Sequence, residues 1–229
     1  MIEVTDTFKC FKQVKNYVYT GEKDLADFGI LRDNGTNYIF QDRENKELGY
    51  KIYKSFCIKK INNQRDAHLI QRLREKGEKI IDIDFPYGVV TYNNSIIGQV
   101  ISYYDQSYEL IDYFKSEKSI YSLLLDAYNL IKELYDAEIY YMDIHEHNFL
   151  ITLTGIKLID FDYDFIGFKS NISSLNNYYE RNVISNFKRM VCSLLYENKL
   201  DNLSKVDTME SLYEELLHVE YESKKIKVK

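Results

Sequence analysis

Residues 140–151, Tyr-Tyr-Met-Asp-Ile-His-Glu-His-Asn-Phe-Leu-Ile, and residues 155–162, Gly-Ile-Lys-Leu-Ile-Asp-Phe-Asp, carry more information than any other part of the chain. Asp143 and Asn148 stand in a D-x-x-x-x-N step within a polar segment that follows a long helical pattern. Asn148 opens an apolar run, Thr154-Gly155 marks a turn, and a second apolar run ends on Asp160. The Asp/Asn step alone is nearly worthless in a chain so rich in both residues. The ordered set of helix, Asp143, Asn148, strand, turn, strand and Asp160-Phe161 is far more specific. Its side chains suit one chemistry. Asp143 can orient a hydroxyl and accept its proton. Asn148 and Asp160 supply oxygen ligands of the kind that Mg²⁺ takes. With a lysine elsewhere to hold the α- and β-phosphates of ATP, these are the parts of a phosphoryl-transfer site, where catalysis is mostly positioning and charge stabilisation.

Working outward, the first half of the chain reads as strands with one helix. Asp33-Asn-Gly-Thr36 is a turn signal between two apolar runs, a strong hairpin cue. A second hairpin turns at residues 43–47 and leads into Gly49-Tyr-Lys-Ile-Tyr-Lys54. Residues 62–76 predict a helix with Leu69, Ile70 and Leu73 on one side and Gly77 as its C-cap. Residues 89–92 and 96–101 predict a further hairpin around Asn93-Asn94. The period then changes. Residues 107–116 predict a short helix and 119–137 a longer one, with Ile120, Leu124, Ala127, Ile131 and Leu134 on one face. After the small hairpin of 148–160, helices are predicted over 180–197 and 208–220, the second opened by Asp207 with Glu210 three residues on.

Composition narrows the classes. The chain has 229 residues with 45% hydrophobic and 29% charged, which predicts a packed core rather than disorder. Its length predicts one compact unit of two lobes. One proline, Pro86, and nine glycines exclude collagen-like and linker-like readings. The net charge of −6 argues against nucleic acid as a partner, and the basic tail from Lys224 to Lys229 reads as a solvated end. Cys10, Cys57 and Cys192 are too far apart for a disulfide framework or a zinc site. The longest apolar stretches, such as 96–104, are too short to cross a bilayer. Residues 1–6 show no secretory pattern. The expectation is a cytoplasmic protein with no membrane partner.

The 138–165 stretch resembles the protein-kinase-like superfamily. Asp143 to Asn148 is similar to the H-R-D-L-x-x-x-N catalytic loop, and Asp160-Phe161-Asp162 is similar to D-F-G. The variants look more like small atypical bacterial or phage kinases and aminoglycoside/choline-type phosphotransferases than a regulated eukaryotic kinase. The resemblance implies an α+β, two-lobed kinase-like fold. Its strand-rich N-lobe would span 1–102 and its reduced helical C-lobe 103–229. It also implies an ATP- and Mg²⁺-dependent transfer of the γ-phosphate to a hydroxyl, first of a protein Ser/Thr. A small-molecule kinase, or a catalytically weak pseudokinase that only binds nucleotide, are the alternatives.

By the same resemblance Asp143 is the base, and Asn148 and Asp160 are the metal ligands. Lys51, with Lys54 as runner-up, holds the phosphates, and Asp66 is its partner from the inserted helix. Gly35 is what remains of the Gly-rich loop. Val100 and Ser102 belong to the hinge beside the adenine, Leu150 lies under the base and Ile159 behind it. Some positions depart from the pattern. Met142 stands for Arg, which removes the usual receiver of an activation-loop phosphate. Asp162 stands for Gly, and it and Asp164 are either further oxygen ligands or solvated loop residues. There is no A-P-E motif. His145 and His147 read as part of the loop rather than as a transition-metal site, and Tyr140-Tyr141 as packing.

Overall fold

Short apolar runs separated by turn residues pair in the first hundred residues into one sheet, and 3.6-residue periodicity governs most of the rest. A computed structural model describes residues 2–5, 30–33, 37–42, 45–53, 63–77, 80, 83–92, 95–105, 107–114, 120–195, 203 and 205–226. The described residues form a mixed α/β structure whose sheets are built of antiparallel strands. The chain divides into two compact units, Met1–Glu78 with Asp84–Asp105, and Lys79–Ile83 with Gln106–Lys229. No described helix is long and apolar enough to cross a membrane.

The first unit contains β1 (Ile2–Thr5), β2 (Ile30–Asp33), β3 (Asn37–Gln41), β4 (Leu48–Tyr53), helix α1 (Asn63–Gly77), β5 (Gly88–Tyr92) and β6 (Ser95–Ser102). The strands form a sheet in the order β1-β5-β6-β4-β3-β2. β4 lies between β3 and β6, and it is buried from Leu48 to Ile52 on both faces. That register sets Lys51 opposite Ile39 on one side and Gln99 on the other. Only 3% of Lys51 is exposed, and its Nζ lies 6.0 Å from the centre of the Tyr53 ring. The predicted α1 face is the buried one, since Leu69, Ile70 and Leu73 are all in the core. Gly77 ends the helix as predicted, but tight packing also demands it. A Cβ there would come within 2.2 Å of the Phe85 ring.

In the second unit β7 (Tyr108–Glu109) leads into the short helix α2 (Leu110–Phe114), followed by α3 (Ile120–Asp136), β8 (Ile139–Tyr141), β9 (Phe149–Thr152), β10 (Gly155–Leu158), β11 (Ile166–Phe168), α4 (Ser173–Leu195) and α5 (Met209–Ile226). β10, β9 and β7 make one small sheet, and β11 and β8 another. The helix predicted from residue 107 starts with two strand residues instead, because Tyr108 and Glu109 pair with Ile151 and Leu150. α4 begins well before the predicted 180. α3 packs on α5, where the Tyr128 hydroxyl donates to the Met209 carbonyl at 2.8 Å and its ring stacks on Tyr213. The start signal of α5 lies one residue later than predicted. The Thr208 Oγ1 accepts the Ser211 amide at 3.1 Å while Ser211 Oγ accepts the Thr208 amide at 3.1 Å, a reciprocal cap. Cys192 is exposed and free, and Cys10 and Cys57 lie outside the described residues.

Gly98 on β6 decides whether β4 can approach. A Cβ at this position would stand 2.1 Å from the Lys51 carbonyl oxygen, a backbone atom that cannot swing aside. Gly98→Ala is therefore expected to destabilise the protein by about 1–3 kcal/mol, the usual range for overpacking. Denaturant unfolding measures it, and an unchanged midpoint would show that β4 and β6 are farther apart than described.

Candidate functional site

The second unit gathers Asp143, Asn148 and Asp160 around one buried phenol. β8 is three residues long, and alternation sends its two tyrosines to opposite faces. Tyr140 stacks among Tyr135 and Tyr179. Tyr141, only 1% exposed, turns the other way. Its hydroxyl accepts a hydrogen bond from Asn148 Nδ2 at 2.8 Å and donates to the carbonyls of Ile159 at 3.0 Å and Asp160 at 3.2 Å. Burial holds the Tyr141 phenol well above its ordinary pKa, and the nearby Asp160 and Asp143 push the same way. The group therefore stays protonated and available as a donor. Its ring packs against Phe161, with centroids 5.0 Å apart.

Asn148 sits on a 3₁₀ turn, Glu146–Asn148, and is almost fully buried. Its amide nitrogen lies near three acceptors: the Tyr141 hydroxyl, the Asp143 carbonyl at 2.9 Å and Asp143 Oδ2 at 3.0 Å. Since the nitrogen side is committed to donors' partners, the amide oxygen faces away from Asp143. The Asn148 backbone is fixed as well. Its amide donates to the His145 carbonyl at 3.0 Å, and its carbonyl accepts from Ile159 at 2.9 Å.

Asp143 is held asymmetrically. Oδ2 takes Asn148 Nδ2, and His145 Nε2 stands 3.6 Å from the same oxygen. Oδ1 has no hydrogen-bond or ion-pair partner among the described residues, and the side chain is 23% exposed. A carboxylate with one oxygen anchored and the other open is suited to receive a hydroxyl. Asp160 follows β10 in the left-handed region at φ 67. Asp tolerates that region better than most residues, and the Tyr141 hydroxyl grips its carbonyl. Together the Asn148 amide oxygen and the Asp160 carboxylate are hard oxygen donors, which fits Mg²⁺ better than a softer metal. Among the described residues no group of three or more His, Cys, Asp or Glu is placed to hold a metal.

Two elements missed by sequence reasoning brace this loop. The Met142 amide donates to the Phe165 carbonyl at 2.8 Å where β8 meets β11. The Met142 carbonyl accepts Asn186 Nδ2 of α4 at 2.5 Å. Both backbone groups of the residue before Asp143 are thus occupied. His147, read as loop, has its Nδ1 2.6 Å from Glu109 Oε2. Asp162 is partly buried and its carbonyl accepts the Phe165 amide, while Asp164 is exposed. The sequence marked Tyr141 only as one of the Tyr140-Tyr141 pair read as packing, and nothing in it pointed to Asn186.

The remaining predicted residues fall as follows. Leu150 is buried on β9, and Ile159 is half-buried with its carbonyl bound to Tyr141. In the first unit Lys51 is buried on β4. Val100 lies mid-sheet with its carbonyl accepting the Tyr87 amide at 2.7 Å. The Ser102 hydroxyl is engaged by Asp84 at 3.0 Å and Tyr87 at 2.5 Å, and Tyr104 also donates to Asp84. Asp66 lies in the first turn of α1 with its side chain outside the described part, and Gly35 and Lys54 lie outside the described residues.

A comparison with protein-family models finds none that matches the chain, and no curated protein matches it. The site is therefore read from its own geometry.

If the Tyr141 hydroxyl joins the two loops, Tyr141→Phe keeps the ring against Phe161 and leaves buried carbonyls without a donor. It is expected to cost about 1–3 kcal/mol in denaturant unfolding. A loss below a few tenths would mean that water or the backbone replaces the hydroxyl.

Proposed function

We propose that the chain is an ATP- and Mg²⁺-dependent phosphotransferase of protein-kinase-like architecture. The observation that carries the reading is the Asp143 carboxylate, anchored through Oδ2 by the Asn148 amide nitrogen and, among the described residues, open at Oδ1. The same amide presents its oxygen away from Asp143, so one residue serves both the base and the cation. In this reading the acceptor hydroxyl oxygen forms a bond to the γ-phosphorus as the bond to the β–γ bridging oxygen breaks. ADP leaves, and the hydroxyl proton passes to Asp143 Oδ1. Mg²⁺ held by Asn148 and Asp160 would neutralise phosphate charge. Lys51 would pair with the α- and β-phosphates. Support from the first unit is its antiparallel sheet with a buried lysine on a central strand and, among the described residues, one helix, α1, packed on β5 and β6.

The open oxygen asks only for a hydroxyl, so both protein Ser/Thr and small-molecule alcohols are proper acceptors in a test. Incubation with γ-labelled ATP, Mg²⁺ and each acceptor class is expected to show transfer by the wild type. Asp143→Ala should lower it by about 10²–10⁴-fold, the usual worth of a general base, and chelation of Mg²⁺ should abolish it. The thermal shift given by Mg·ATP should persist in Asp143→Ala. At 100 times the dissociation constant it corresponds to ~2.7 kcal/mol. Undiminished transfer by the variant overturns the assignment of Asp143. A wild-type shift without transfer to any acceptor would mark a binding module instead.

A further inference from the structure

His145, two residues after Asp143, has one polar side-chain tie among the described residues. Its Nε2 faces Asp143 Oδ2 at 3.6 Å, inside ion-pair range and beyond a formed hydrogen bond. Its Nδ1 is buried and has no hydrogen-bond partner among the described residues. An orphaned buried nitrogen calls for a reason. The ring also leans edge-on against His147, with centroids 5.8 Å apart, and its own carbonyl holds the Asn148 amide. The imidazole, 41% exposed, thus lies against His147 with Nε2 on the side of the carboxylate. Oδ2 of an ionised Asp143 can only accept, so the ring nitrogen facing it is the one that carries hydrogen.

We propose that His145 is a positioning residue for Asp143, sharing Oδ2 with Asn148 so that Oδ1 alone is presented to the acceptor hydroxyl. The inference rests on the phosphotransferase reading above for its kinetic consequence, though the His145–Asp143 coupling itself does not. Two donors on one oxygen restrain the rotation of the carboxylate about its last bond more tightly than Asn148 alone does. The 3.6 Å gap closes to a hydrogen bond when the acceptor engages Oδ1, as hydrogen bonds in ligand-free sites commonly tighten in the reacting complex. Asp143 raises the His145 pKa and partial burial opposes it, which agrees with an electrostatic tie between the two.

The test uses the full chain and two variants. His145→Ala is expected to lower kcat for phosphate transfer about 10–100-fold, as loss of an orienting partner does, with KM for Mg·ATP within about twofold. His145→Gln, whose amide nitrogen reaches the Nε2 position, is expected to recover part of that loss. Melting temperatures of the two variants should agree. An unchanged kcat in His145→Ala, or an equal fall in both variants, overturns the proposal. A second measurement is independent of activity. The ¹⁵N resonances of the His145 ring should report hydrogen on Nε2, and Asp143→Asn should shift the Nε2 signal. An Nε2 signal that ignores Asp143→Asn overturns the proposal even in an active enzyme. Absence of transfer by the wild type, with that signal shifted, counts against the phosphotransferase reading alone.

Discussion

A buried phenol hydroxyl must find partners or cost the fold about 1–3 kcal/mol, and Tyr141 meets that demand with three groups from two separate loops. It accepts from Asn148 and donates toward the carbonyls of Ile159 and Asp160. The segments on either side of the β9–β10 hairpin are thereby tied at one point. Everything said of the site follows from this tie. It turns the Asn148 amide so that its nitrogen meets Asp143, it holds the Asp160 carbonyl in a backbone conformation few residues adopt, and its ring packs against Phe161.

The tie would be loose without a rigid frame. β8 and β11 bracket the two loops, and their ladder runs from Ile139 with Phe168 to Tyr141 with Ile166. Gly167 lets β11 carry Tyr179 directly on its backbone, since a Cβ would come within 2.8 Å of that ring. Asn186 reaches from α4 to the Met142 carbonyl, so a helix whose apolar stripe is in the core also braces the residue before Asp143. The loop is positioned mainly by backbone ladders and amide or phenol hydrogen bonds. Such contacts depend little on salt, whereas exposed ion pairs are screened.

Long, strongly periodic elements were legible in the sequence. α1 and α3 follow their predicted faces, because an amphipathic pattern over several turns has few alternative solutions. The three-residue strands β8 and β11 were not legible, since so short a segment shows no period and is specified only by its partner. The same holds for the two residues of β7, which sequence placed in a helix. At the site, the Asp143, Asn148 and Asp160 pattern could be read from residue types and spacing. The roles of Tyr141 and Asn186 could not, because their partners lie 18 and 44 residues away along the chain. Ser102, read from the sequence as a hinge residue, has its hydroxyl engaged by Asp84 and Tyr87.

In the proposed function Asn148 and Asp160 would hold one magnesium ion beside Asp143. A crystal structure with Mg²⁺ and a non-hydrolysable ATP analogue tests it most directly. The expected result is a metal ion at about 2.0–2.1 Å from Asn148 Oδ1 and an Asp160 carboxylate oxygen, with Asn148 Nδ2 still on Asp143. A nucleotide whose metal is held by other residues, or an Asn148 amide turned the other way, would contradict it.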